Sequence, residues 1–288
     1  MTDPHAYRVD GAQAAGDYVS AYRRNGFVVL RGLFGGDEVA ALAAAADQVH
    51  DEGMRLGRSF RHGNLFYRVA AGDDGPLVQM IQWPSYHQAV LNAFRLDRRL
   101  ASILAPLLGG DLKQIINQIH WKSPVSSGDF AWHQDSRFRK PDEAYRNLAG
   151  SYVQTGLAID PHDPGSGCLR FVPGSHLWGE LPLECPDEVL GAAMSDPVLE
   201  AVGLDAADAV DILLAPGDLA LWSPYLVHGS GTNRSAHRRR FYINGYVRAE
   251  DCDRGEWAFR GGRPVPFGPE PALVHYEALR ERRDPHFV

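Results

Sequence analysis

Cysteine is scarce: the 288-residue chain has three, Cys168, Cys185 and Cys252, and no close C-x-x-C pair. An odd, dispersed set supports neither a disulfide framework nor a zinc ribbon, and a reducing, cytoplasmic setting is expected. Long apolar runs are missing as well. Nowhere do 18 apolar residues follow one another, so no membrane span is expected. The opening MTDPHAYRVDGAQAAGDY lacks the basic stretch and apolar run of an export signal. Positive charge is in deficit, with 29 Lys and Arg against 36 Asp and Glu and a net charge of -7. Contact along a phosphate backbone relies on dense cationic side chains that displace condensed counterions, so nucleic acid is not an expected partner. No internal repeat, low-complexity tract or linker breaks the chain.

What is present is the balance of an ordinary globular protein, 44% hydrophobic and 23% charged. Jelly-roll and barrel enzymes of roughly 200 to 250 residues are often one domain, so a single domain over 1–288 is expected. Within it, 1–110 should be a mainly helical part packed on the core, 111–250 a β core, and 251–288 a C-terminal extension. A helix is expected from Gly11 to Asn25, closed by Gly26 in a left-handed conformation, then a strand over Phe27–Leu30. Asp37 can cap a helix from about Glu38 to Asp51. Residues 54 to 86 show no clean periodicity, and HQAVLNAFRLDRRLASILAPLLGG reads as one helical stretch stopped by its paired glycines.

After Gly110 the texture changes to short β-rich runs such as LKQIINQIHWK, DFAWHQD, YVQTGLAID and RRFYINGYV, separated by Pro, Gly, Asp and Ser turns. The fold class expected is mostly β with flanking α-helices, built on a double-stranded β-helix (jelly-roll, cupin-like) core. The acidic stretch at about 183–211 interrupts the strands and is expected as an excursion over the barrel mouth.

His133-Gln134-Asp135 lies in a β-like setting, and side chains two apart on a strand share a face. A further imidazole at His228 would complete a facial triad of two His and one carboxylate with three open coordination positions, which is what oxygen activation needs. By itself H-x-D is a common pairing of surface or hydrogen-bonding residues. Its context here is a basic cluster after His228, running through Arg234 to Arg238, Arg239 and Arg240. One of these arginines could anchor a distal carboxylate through its planar fork, against the bland alternative of a solvated basic turn.

Taken in order, NGFVVLRGLF, WHQD, GCLRFVPGSH and PGDLALWSPYLVHGSGTNRS resemble the phytanoyl-CoA dioxygenase family of iron(II)/2-oxoglutarate oxygenases over most of residues 17 to 248. The resemblance implies that His133, Asp135 and His228 bind iron(II) and that Arg239 salt-bridges the C5 carboxylate of 2-oxoglutarate, with Arg240 the fallback if the register slips. It also implies that Ser230 helps to hold that carboxylate and that Gln118 lines the cosubstrate. Thr155 falls near where relatives often carry a tryptophan, so that wall departs from the pattern. Halogenating relatives replace the metal carboxylate with a small residue; Asp135 is present, which favours hydroxylation or a related oxidation. The expected cofactors are iron(II) and 2-oxoglutarate, with ascorbate a candidate stimulant. The expected partners are O2 and a small molecule, and the expected assembly is a monomer or simple homodimer.

By strand alternation His120 and Lys122 share a face with Gln118, which brings Lys122 among the cosubstrate-lining candidates. Gln134 should point away from the metal and hydrogen-bond elsewhere. His176 and His162 read as structural or exposed. Arg137, Arg139 and Lys140 read as a charged loop, with steering of an anionic substrate the alternative. Tyr67, Arg68 and Trp83 suit either ligand recognition or packing. Two other functions stay open on sequence: a jelly-roll binding module without chemistry, and a metalloenzyme that does not use 2-oxoglutarate. The substrate is undetermined among acyl-CoA, amino acid, phosphonate and secondary metabolite.

Overall fold

A computed structural model of the protein describes residues 8–10, 17–72, 75–124, 129–184, 186, 189–271, 282 and 284–288. The chain groups into two compact units: Met1–Gly36 with Lys122–Arg139 and Gln154–Phe241, and Asp37–Trp121 with Lys140–Val153 and Tyr242–Val288. None of the described helices is long and apolar enough to cross a membrane.

In the first unit the helix Asp17–Asn25 leads through Gly26, at φ 83°, into the strand Phe27–Arg31. The earlier part of the expected helix, 11–16, lies outside the described residues, as does Cys185. Phe27, Val28, Val29 and Leu30 are wholly buried because this strand is sandwiched between Arg8–Asp10, to which it runs parallel, and Leu219–Trp222, antiparallel. Leu219–Trp222 pairs in turn with residues 154–157. A second, four-stranded sheet has the order Val210–Ile212, Leu169–Phe171, His228–Ser230, Phe130–His133, all antiparallel. These two sheets are the jelly-roll core.

Alternation gives the second sheet two unlike faces. Trp132 and Val227 point opposite to their neighbours His133 and His228 and join a buried cluster with Val172, Leu199 and Leu204. The excursion at about 183–211 supplies Leu199 and Leu204 to this cluster and packs Leu183, Met194 and Val202 against it. It therefore covers the back of the sheet, where large apolar side chains would otherwise face water, a role its acidic composition did not suggest.

The second unit adds strands that were not expected to the helices of the first third. Three strands, Phe60–His62, Leu65–Gly72 and Gly75–Gln82, form an antiparallel series that continues to Leu112–Lys122. Leu65, Tyr67 and Val69 are buried with period two, but Phe66 and Ala70 between them are apolar too, which hides the alternation. The helix expected over Glu38 to Asp51 spans Gly36–Leu56, with Asp37 and Glu38 inside its first turn rather than at its cap. Gly53 does not end it. A Cβ there would lie 2.8 Å from Val78 Cγ2, so glycine serves close packing. The stretch after His87 is two helices, Ala89–Arg95 and Arg98–Leu108, because the Asp97 carboxylate caps the second by accepting from Arg99 N at 2.8 Å.

Candidate metal centre

Strand Phe130–His133 ends at His133; Gln134 continues extended at φ -113° and ψ 138°, and Asp135 opens the short turn Asp135–Phe138. Extended backbone across 133–135 sets both ligand side chains on one face. The strand His228–Ser230 lies antiparallel to it, with His228 directly opposite His133. One ligand atom from each of His133, Asp135 and His228 lies within 4.8 Å of the others, and all three residues are buried.

The tautomers follow from the second ring nitrogens. His133 Nδ1 contacts Ala131 O at 2.7 Å and His228 Nδ1 contacts Leu226 O at 2.9 Å. A carbonyl only accepts, so each Nδ1 carries the proton and each Nε2 keeps its lone pair. His228 Nε2 stands 3.9 Å from Asp135 Oδ2, and the rings of His133 and His228 are 4.1 Å apart. Asp135 Oδ2 also accepts from Trp222 Nε1 at 2.9 Å. Burial, then the His228 imidazole, pushes the His133 imidazole down to about 3, so it is neutral and ready to bind. Burial pulls the Asp135 carboxyl upward, but His228, Arg139, His133 and the Trp222 hydrogen bond together outweigh it and hold it below the usual carboxylate range. Two imidazoles that turn Nε2 toward each other and one ionised carboxylate, all buried, fit a divalent iron ion.

A second cluster begins two residues beyond His228. Lys122 Nζ donates to Ser230 Oγ at 2.7 Å and to Gly231 O at 2.5 Å, and Arg239 Nη1 donates to Gly167 O. Lys122 and Arg239 are 1% and 3% exposed, and among the described residues neither has a carboxylate as ion-pair partner. Arg239 Nε is buried with no hydrogen-bond partner. Burial, then the Arg239 guanidinium, pushes the Lys122 amine down to about 6, and burial lowers Arg239 to about 10. A buried guanidinium with an orphaned donor, beside a buried amine whose protonation an anion would favour, makes a site short of an anion. Arg240 alternates to the other face and is ion-paired with Asp160 at 2.7 Å, so the cation of this cluster is Arg239 and not the fallback.

The structure thus brings together His133, Asp135 and His228 at one place, and Lys122, Ser230 and Arg239 at another. Thr155 stands opposite Leu221 and so faces away from the side that carries Trp222; Gln154, opposite Trp222, is the residue of that strand on the Trp222 side. Gln118 belongs to the second unit, opposite Gln82, where its Oε1 meets His120 Nε2 at 3.0 Å. His162 is buried at 2% exposure and His176 Nε2 contacts Arg23 O at 3.1 Å, both in structural settings. The loop after Asp135 is divided: Lys140 is exposed and paired with Asp142, but Arg139 is 3% exposed and its charge acts on Asp135. Sequence reasoning missed Trp222. Its signal was an indole on a buried strand six residues ahead of His228, since a buried Trp N–H needs an acceptor.

Two histidines and an aspartate gathered inside a two-sheet β core form a group that could hold a metal ion, with the donor set of a non-haem iron facial triad. The sequence profile of the phytanoyl-CoA dioxygenase (PhyH) family matches residues 22–241, and the chain belongs to that family. It is accordingly an iron(II)- and 2-oxoglutarate-dependent dioxygenase by class. It is similar to the dioxygenase lolE1 of Epichloe uncinata, 25% identical over 237 residues that cover 79% of this chain and 80% of the relative. It is also similar to a probable alpha-ketoglutarate-dependent hypophosphite dioxygenase of Stutzerimonas stutzeri, 24% identical over 233 residues, covering 80% and 77%. Among solved structures, EctD of S. alaskensis with 2-oxoglutarate and 5-hydroxyectoine superposes with a TM-score of 0.63 at 20% identity over 97% of this chain and 92% of that one, a likeness of fold.

Proposed function

We propose that His133, Asp135 and His228 hold iron(II), that Lys122, Ser230 and Arg239 seat the distal carboxylate of 2-oxoglutarate, and that the enzyme oxidises a small molecule with O2, releasing succinate and CO2. The observation that carries this reading is the strand His228–Ser230, which presents a metal donor at one end and, at the other, a hydroxyl hydrogen-bonded to a buried lysine. Two residues of strand span about 7 Å, the length scale of a five-carbon dicarboxylate.

Iron, when bound, supplies oxygen activation coupled to decarboxylation of the cosubstrate. The chain's own residues do the positioning. Backbone carbonyls of Ala131 and Leu226 hold the two imidazoles in one tautomer, and Trp222 orients the carboxylate. Arg239 offers a guanidinium with an unused Nε–H, and Lys122 offers an amine that gains its proton most readily when an anion arrives. Relatives that bear the names of hypophosphite and ectoine dioxygenases support a small polar substrate, and a fatty acyl-CoA is not required by the family name.

The test is single turnover. Anaerobic protein loaded with iron(II) and 2-oxoglutarate is expected to bind one of each and to form succinate and CO2 on admission of air. A fresh, folded preparation that binds iron but forms no succinate with any of a panel of small polar substrates, even in the uncoupled reaction, would overturn the assignment.

A further inference from the structure

We infer that Gln134 is a positioning residue for the metal site: its side-chain amide sets the separation between the His133 and Asp135 arm and the His228 arm by tying both to the 175–181 loop. The inference rests on the reading that the triad holds the metal, and it concerns a residue which touches neither metal nor substrate.

The two arms are joined by a short ladder that stops at the ligands. His228 pairs with His133 and Ser230 with Phe130, with a register shift between them, and Asp135 lies past the last pair. Something else must therefore fix Asp135 relative to His228. Gln134, 3% exposed, points to the face opposite its two neighbours, and its amide is fully used there. Nε2 donates to Tyr225 O at 2.6 Å and to Gly179 O at 2.8 Å, while Oε1 accepts from Leu181 N at 2.7 Å. Tyr225 is three residues ahead of His228, so the first of these bonds bridges the arms directly. Ser136 N adds a parallel bridge to Pro224 O at 2.9 Å. The loop that Gln134 grips also reaches the second arm by itself, because Ser175 Oγ accepts from Val227 N at 2.9 Å. Gln134 thus replaces the missing ladder between two ligand-bearing segments that are remote in sequence.

A primary amide of this length offers two donors and one acceptor, which is the set these three backbone groups require. Leucine has the bulk and none of the bonds. Glutamate has the shape and the acceptor, but it sets a carboxylate oxygen against the carbonyls of Gly179 and Tyr225. Outer partners of metal ligands typically change affinity by about 10- to 100-fold when removed, so the effect is measurable.

The experiment titrates metal-free protein with cobalt(II) alone and follows its visible absorption, with thermal unfolding of each metal-free variant alongside. Gln134→Leu is expected to weaken cobalt binding by about 10- to 100-fold and to alter the absorption band, and Gln134→Glu to weaken it at least as much. Val172→Ala, in the buried cluster with Trp132 and Val227 but outside the clamp, is expected to lower the unfolding temperature while leaving cobalt affinity within about twofold. If either Gln134 variant is folded and binds cobalt like the parent with an unchanged band, the positioning role is wrong. It is equally wrong if Val172→Ala loses as much affinity, since the effect is then one of general stability. A parent protein that binds no cobalt at all would sink the metal reading itself and this role with it, a result distinct from the other two. Should Gln134→Leu not fold, the isosteric Gln134→Glu carries the test.

Discussion

The two ends of the candidate site in the first unit, the His133, Asp135 and His228 cluster and the Lys122, Ser230 and Arg239 cluster, are opposite in what they lack. At the metal end every outward polar atom has a fixed partner: Nδ1 of both histidines on a carbonyl, Asp135 on an indole. The inward atoms are then three donors of electron pairs with no positive charge between them. At the other end Lys122 and Arg239 are both buried, and Arg239 Nε has no acceptor. One cluster is short of a cation and the other of an anion, which is the pairing the proposed iron and 2-oxoglutarate would meet. Preorganisation also differs. The metal end is held by backbone and is ready, whereas the basic end carries charge that is costly until an anion arrives.

The largest effect should come from the metal end. Replacing His133 or His228 by Ala is expected to weaken iron binding by more than about 100-fold, because removal of an outer partner alone costs about 10- to 100-fold; anaerobic titration with iron(II) and succinate yield would both fall to background. At the basic end, Arg239→Ala should weaken 2-oxoglutarate by about 2–5 kcal/mol, the range for truncating one side of a buried charge pair, and leave iron affinity in place. Calorimetry that found both ligands equally affected would erase the division between the ends.

Trp222→Phe removes one hydrogen bond to a charged acceptor and is expected to cost about 1.5–3 kcal/mol in metal affinity, with little change in cosubstrate binding. The pH response sharpens the basic end. With burial and Arg239 holding the Lys122 amine at about 6, it is mostly neutral at pH 8, and a bound carboxylate favours its charged form. Binding then takes up a proton: affinity should be flat below about pH 6 and fall above it by at most about tenfold per unit. Calorimetry in buffers of different ionisation enthalpy measures that proton directly, and Lys122→Met should abolish it. The smallest effect expected is Arg240→Ala, which breaks a partly buried ion pair with Asp160, costs about 1 kcal/mol of stability, and leaves the cosubstrate constant within about twofold.

Sequence reasoning could offer the triad and Arg239 as candidates because their signals are local in character: H-x-D on extended backbone, a basic cluster behind a second histidine, and an ordered set of motifs. It failed where a strand's pattern was masked, as in Leu65–Gly72, where apolar side chains occupy both faces. It could not tell that Thr155 faces away from Trp222, because which face of a strand looks toward Trp222 depends on the partner strand's register. The arginine at 139 read as solvated loop, and only packing shows it buried with its charge on Asp135.

The amino-acid order alone determined the donor types, the alternation that sets His133 and Asp135 side by side, and the family, since these depend on residues within a few positions of one another. Tertiary structure decided that His228 lands opposite His133, that Arg239 and not Arg240 faces Lys122, and that the Gln134 amide spans two arms. Those are distances between segments far apart in the chain, and they are fixed only when sheet register and core packing are satisfied together.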